Sequence, residues 1–188
     1  MISVNFLGIR VDEPMTLLTG ALIAGLCFLA FVRLNRIPGK LKLQRYFRFY
    51  FLILGSGSLL AALLGHGLYY RLSPAWKLPG WLTCMVSAAV IEQATILILG
   101  QSAKRKAVSL LGIQNILSLA VFLILTSVTK NFNLVVVYIT YSLFVVVGSM
   151  HLVIYSRSGA RGSLWFMLAL VIALTGNLVF LFQWNIHA

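Results

Sequence analysis

Apolar side chains in this chain neither alternate with polar ones nor mark a single helical stripe. They run almost unbroken through six stretches, at about 15–32, 49–70, 81–99, 107–128, 132–155 and 164–184. At about 1.5 Å of rise per residue, each stretch is long enough as a helix to cross ~30 Å of hydrocarbon. A spanning segment in lipid must satisfy its own backbone hydrogen bonds, and the lack of strict alternation excludes a closed barrel. Even the valine-rich pieces at 135–137 and 145–147 are therefore expected to be helical. The pattern predicts an all-α, polytopic membrane helix bundle of six transmembrane helices, a single integral membrane domain over residues 1–188.

Pro38-Gly39, the Pro74 to Gly80 region, Asn131 and the polar link at 156–162 punctuate these stretches and leave only short connections. Asp12 and Glu13 precede the first stretch, where a cleaved leader would carry basic residues, so no cleaved signal peptide is expected.

Composition agrees with the pattern. Of 188 residues, 61% are hydrophobic and 10% charged, against about a quarter charged in soluble domains. A soluble domain is excluded. The net charge of +12, from 15 Lys and Arg against 3 Asp and Glu, would suggest nucleic acid in a soluble protein. Here the cations sit between apolar runs, so topology is the simpler cause and no nucleic-acid partner is expected.

Arg33, Arg36, Lys40, Lys42, Arg45, Arg48, Lys104, Arg105, Lys106, Arg157 and Arg161 fall in the first, third and fifth connections or at their helix ends. Arg10, Arg71, Lys77 and Lys130 fall on the other side. Basic loops stay in the cytoplasm, which predicts both termini outside. The cations from Arg33 to Arg48 also suit anionic lipid headgroups, at roughly 1 kcal/mol each near the surface. A bacterial plasma membrane is the expected host, with homo- or hetero-oligomers open as partners. Cys27 and Cys84 stand singly inside apolar runs and read as small core residues.

Ionisable side chains inside a span are costly and so mark candidate sites. Glu92 lies ~3 Å from the middle of the third span, with Gln114 and Asn115 at similar depth on the fourth and Asn177 on the sixth. Ala88, Glu92 and Thr95 share one helix face, expected to point into the bundle. A carboxyl group there is expected to be neutral and to donate a hydrogen bond to Asn115 or Gln114. Such a bond serves either as interhelical glue or as a proton, substrate or ion site.

A second group gathers toward the outer side. It comprises Asp12 and Glu13 before span 1, His66 in Gly65-His66-Gly67 ~10 Å outward on span 2, and His187 after span 6. Imidazole and carboxylate together suit Zn²⁺, although no HExxH-type spacing is present. His151 lies on the opposite side, near Tyr155 and Arg157, and is expected to bond locally. Gly55-Ser56-Gly57-Ser58 resembles the GxSG nucleophile of rhomboid-type proteases, but on span 2, where small residues more often allow close helix packing.

Glu13-Pro14-Met15-Thr16 entering span 1, with Gly65-His66-Gly67 late in span 2, resembles the superfamily of alkaline ceramidases and adiponectin/progestin-type receptors (CREST) and its small bacterial relatives. The resemblance implies Glu13 as the first-helix acid, His66 as the second-helix zinc ligand and His187 as the first histidine of a last-helix HxxxH pair. Ala62 stands where the family carries a serine, with Ser58 a turn further back, and the HxxxH pair does not occur within residues 1–188.

Two readings follow. One is a zinc-dependent, lipid-directed intramembrane hydrolase of an amide or ester, or an inactive relative, with His66, His187, Glu13 and Asp12 at the metal and Glu92 and Ser58 as catalytic candidates. The other is a non-enzymatic component, either a small-solute or ion permeation unit built on Glu92 or a subunit of a larger complex.

Overall fold

The computed structural model describes the backbone at residues 3–6, 9–38, 41–67, 73–101 and 103–186. Side chains are described at 10–11, 13–38, 41–67, 73, 75–101, 103–173 and 175. The chain opens with an antiparallel hairpin that the apolar pattern did not announce: β1 (Ser3–Phe6) pairs with β2 (Ile9–Asp12), Ser3 opposite Asp12 and Phe6 opposite Ile9. Six helices follow. They are α1 (Pro14–Arg36), α2 (Lys42–Gly67), α3 (Leu78–Leu99, entered through a 3-10 turn at Pro74–Lys77), α4 (Arg105–Thr129), α5 (Phe132–Ser158) and α6 (Arg161–Ile186).

Among the described residues five of these helices, α1 to α5, are long and apolar enough to cross a membrane, as in a multi-pass membrane protein. The stretch of α6 described with its side chains, Arg161–Ala173, is apolar but shorter. The helices run a few residues beyond the apolar stretches because polar residues such as Lys42 and Arg105 continue the helix toward the membrane surface. Two segments depart from α geometry. The last seven residues of α2, Ala61–Gly67, and the middle of α5, Tyr141–Val147, widen into π-helix.

Local chemistry ends each rod. Proline occupies the first turn of α1 and of α3, where its missing N–H costs nothing. The last carbonyls of α1 are satisfied from α2: Gln44 Nε2 donates to the oxygens of Leu34 and Ile37, and Arg48 Nε donates to Leu34. Between α4 and α5, Lys130 takes a left-handed conformation and Asn131 caps the next helix, its side chain accepting from the Asn133 N–H. Gly159, at φ 62°, ends α5.

α3 is the hub. Its most apolar window is 56% buried, against 28% or less in every other span, so α3 is the only helix with little lipid-facing surface among those described. Met85 and Ala88 pack with Val135 and Tyr138 of α5. A second cluster joins Ile96 and Leu99 to Val147, Met150 and Ile154. By contrast, α1 and α4 present rows of exposed leucine and isoleucine, for example Leu22, Leu26, Ile116 and Ile124. This is the surface that lipid covers.

Small residues set the closest approaches. A Cβ at Gly80 would lie 2.9 Å from the Ala61 backbone nitrogen, and one at Gly20 would lie 2.8 Å from the Ala62 Cβ. A Cβ at Gly112 would meet nothing within 4 Å. Gly80→Ala should therefore destabilise the bundle by about 1–3 kcal/mol, whereas Gly112→Ala should stay within about 0.5 kcal/mol of the parent. Thermal unfolding in detergent reads both.

Candidate functional site

The first polar site forms where α1 begins. Glu13 precedes Pro14 and is held in the left-handed region, at φ 50° and ψ 58°, a conformation uncommon for a side-chain-bearing residue. Its carbonyl accepts the Leu17 N–H, starting the helix. Its carboxylate Oε2 lies 2.6 Å from Nδ1 of His66, fifty-three residues away on the π-widened end of α2. Buried Gly65 and Gly67 flank the imidazole, and a Cβ at Gly67 would meet Leu17 of α1 at 3.3 Å. Both side chains remain partly exposed, 27% for His66 and 30% for Glu13, so a ligand can reach them.

The pairing brings together two of the four residues expected to share this level. Asp12's side chain and His187 lie outside the described residues, as do the side chain of Asn177 and all of Arg71 and Lys40. Among the described residues no group of three His, Cys, Asp or Glu that could hold a metal is assembled. With Nδ1 engaged by the carboxylate, Nε2 is the ring nitrogen left to act on a ligand. A carboxylate bonded to the far nitrogen is how metal-binding and proton-transferring imidazoles are commonly oriented. Ser58 is hydrogen-bonded to neither His66 nor Glu92 among the described residues. Its backbone oxygen lies under Gly20, 3.4 Å from where a Cβ would sit, which places this turn at the α1–α2 packing contact.

The second site is the bundle centre. Glu92 is 0% exposed, with Ala88 and Thr95 of the same face also buried. Its partner differs from the one expected: Ser142 of the π segment in α5 donates to Glu92 Oε2 at 2.6 Å. Asn115 instead bonds α3 elsewhere, its Nδ2 donating to the Ala89 carbonyl at 3.0 Å and to Gln93 Oε1 at 3.4 Å. The reason is angular. Ala89 and Gln93 lie on the α4 side of α3, while the face holding Glu92 turns to α5. Glu92 Oε1 and the Tyr138 hydroxyl, both buried, have no hydrogen-bond partner among the described residues.

His151 also departs from expectation. It is 5% exposed and bonds across helices rather than locally. Thr95 Oγ1 donates to the Ile91 carbonyl, so at the 3.4 Å contact it accepts from His151 Nε2. Nδ1 is then the acceptor for Ser163 of α6 at 3.1 Å, and the ring stacks on Phe166 with centroids 4.2 Å apart. Sequence reasoning missed this link. Helical spacing gave Thr95 and Glu92 one face, but nothing in the chain pairs that face with α5 or α6. The sites stay separate: His66 bonds to α1's leading residue, Glu92 to α5.

A third feature is a groove of about 460 Å³ between α2, α3 and α4, with Tyr46, Gln93, Ser109, Gly112 and Asn115 among its lining residues.

A family model matches residues 15–188, and the chain belongs to that family, DUF6962, a family of unknown function. No curated protein and no solved structure matches the chain.

The central hydrogen bond carries its own test. Ser142→Ala should lower stability by about 0.6 kcal/mol, the average for hydrogen bonds between membrane helices, and by no more than about 1.7 kcal/mol, as read by unfolding in mixed micelles. Ser58→Ala should leave it within about 0.5 kcal/mol.

Proposed function

We propose that this protein is a zinc-dependent intramembrane hydrolase of a lipid amide or ester, or a relative that has kept only the binding site. The observation that carries this reading is the 2.6 Å bond between Glu13 and His66, closed over fifty-three residues of sequence. A metal at this end of the bundle would be held in a particular way. His66 would hold it through Nε2, Glu13 would orient the imidazole without being a ligand itself, and His187 is the candidate for a further ligand. Bound zinc supplies an acidified water and a Lewis acid for a carbonyl.

What the chain contributes is orientation and room. Glu13 fixes which ring nitrogen faces outward, the buried glycines beside His66 let Leu17 and Lys77 pack close, and the partial exposure of His66 and Glu13 leaves the pair open to a substrate. The site lies at the end of α2 away from the basic connections. With those connections in the cytoplasm, six crossings and both termini outside, it would face the outer leaflet of a bacterial plasma membrane. An amphiphile would keep its headgroup there. The resemblance of the Glu13 and Gly65–Gly67 motifs to the CREST superfamily supports the same chemistry.

Zinc analysis of the purified full chain tests this reading. The parent should bind stoichiometric zinc, His66→Ala none, and Glu13→Gln should bind about 10–100-fold more weakly, with helical circular dichroism unchanged in all three. Equal zinc affinity in the parent and His66→Ala would reject it.

A second reading rests on a different observation, the enclosed Glu92 with one oxygen on Ser142 and the other, like the Tyr138 hydroxyl, without a hydrogen-bond partner among the described residues. It is a non-enzymatic unit, passing protons or a small solute or serving as a subunit of a larger complex. In proteoliposomes with an interior pH dye, Glu92→Gln should reduce proton flux to the protein-free rate. Parent vesicles no leakier than empty ones would count against it.

A further inference from the structure

We infer that the groove between α2, α3 and α4 is a seat for one anionic phospholipid of the leaflet on the basic side. One acyl chain would lie in the groove and the phosphate between the first turns of α2 and α4. This inference is independent of the hydrolase reading.

Shape supplies the first argument. At about 460 Å³ the groove is too large for a few packing defects, and its walls below the mouth are mostly apolar, with Val86, Val90, Ile113, Ile116 and Leu119 around the amides of Gln93 and Asn115. Gly112 lies on its α4 wall, and a Cβ there would meet nothing within 4 Å, so the space is open where a side chain would otherwise stand. Ile113 and Ile116, 52% and 68% exposed, form its lips toward the bilayer.

Polarity supplies the second. Tyr46 and Ser109, on opposite walls, place hydroxyl groups near the helix starts. One helical turn further out on the same faces stand Lys42, four residues before Tyr46, and Arg105 and Lys106, four and three residues before Ser109. All three are exposed. The helix starts add their own unpaired N–H groups, which favour an anion.

Charge accounting supplies the third, and it names the occupant. The chain has only 3 acidic residues. Asp12 and Glu13 precede α1 at the other end of the helices, and Glu92 is enclosed on Ser142. No acidic side chain can therefore neutralise Lys42, Arg105 and Lys106. Their anions must come from outside the chain. In a bilayer the anion that arrives attached to an apolar tail is a phospholipid headgroup, and an apolar groove opens directly beneath these cations. A zwitterionic lipid would fill the groove but leave the cations uncompensated.

Native mass spectrometry of the full chain released from nanodiscs containing equal phosphatidylglycerol and phosphatidylcholine of matched acyl chains reads the occupant. The parent should retain one phosphatidylglycerol in preference to phosphatidylcholine. Lys42→Gln, Arg105→Gln and Lys106→Gln should each weaken that retention about fivefold. Gly112→Leu, which fills the groove from its open side, should release both lipids without changing the melting temperature. Equal retention of the two lipids by the parent, or a preference that survives all three cation replacements, would overturn the inference. So would phosphatidylglycerol retention unaltered by Gly112→Leu. Because the cation variants alter exposed side chains, they decide the matter even if Gly112→Leu fails to fold.

Discussion

A carboxyl group cannot face hydrocarbon, and the way this protein encloses Glu92 organises the rest of the bundle. The helix that carries it, α3, has to be surrounded, so it becomes the hub on which α2, α4 and α5 pack. Ser142 reaches Glu92 from a stretch of α5 that has left α geometry, and Asn115 ties α4 to α3 from another side. The same face of α3 continues through Thr95 to His151 and Ser163, so buried hydrogen bonds link α3, α5 and α6 in series. In a medium that gives little hydrophobic drive for helices to associate, such bonds and the close contacts at Gly20 and Gly80 select one arrangement among many.

The outer site is built by other means. Glu13 sits in a backbone conformation that costs of order 1 kcal/mol for a residue with a side chain, between a hairpin and a proline that starts α1. The bond to His66 and the packing of Leu17 beside Gly67 hold that geometry from the α2 side. A strained residue whose side chain meets an imidazole on a π-widened turn combines two features that tend to gather where proteins bind or react.

Much of the architecture could be read from the chain because the solvent dictates it. Five apolar runs became helices of spanning length, and the Ala88, Glu92 and Thr95 spacing gave the buried face of α3. Shared depth placed Glu13 and His66 at one level, and the structure joins them. Partners were harder to read. Helical periodicity tells which residues share a face but not which neighbour that face meets, so it points Glu92 toward Asn115 or Gln114 instead of Ser142 and leaves His151 a local residue. The N-terminal hairpin was hidden because residues 3–12 are too short and mixed for periodicity to distinguish strand from loop. Neither π segment has a residue signature in Ala61–Gly67 or Tyr141–Val147 that sets it apart from ordinary apolar helix.

Those wide turns have an arithmetic of their own. A π turn takes up about one residue more than an α turn, and a residue of α-helix corresponds to roughly 100° of rotation. His66 lies at the far end of one such turn and Ser142 near the start of the other. The imidazole's bearing toward α1 is thus fixed by a head-count along α2 as much as by the identity of any side chain. An α2 of unchanged length that regained regular geometry over Ala61–Gly67 would keep its apolar residues in lipid and still swing the ring about a quarter of the way round the helix or more, off Glu13, whereas loss of one residue with the wide turn would leave its bearing nearly as it is. Whether residue number and wide turn change together at the end of α2 would therefore be more telling in related chains than most exchanges of one apolar residue for another.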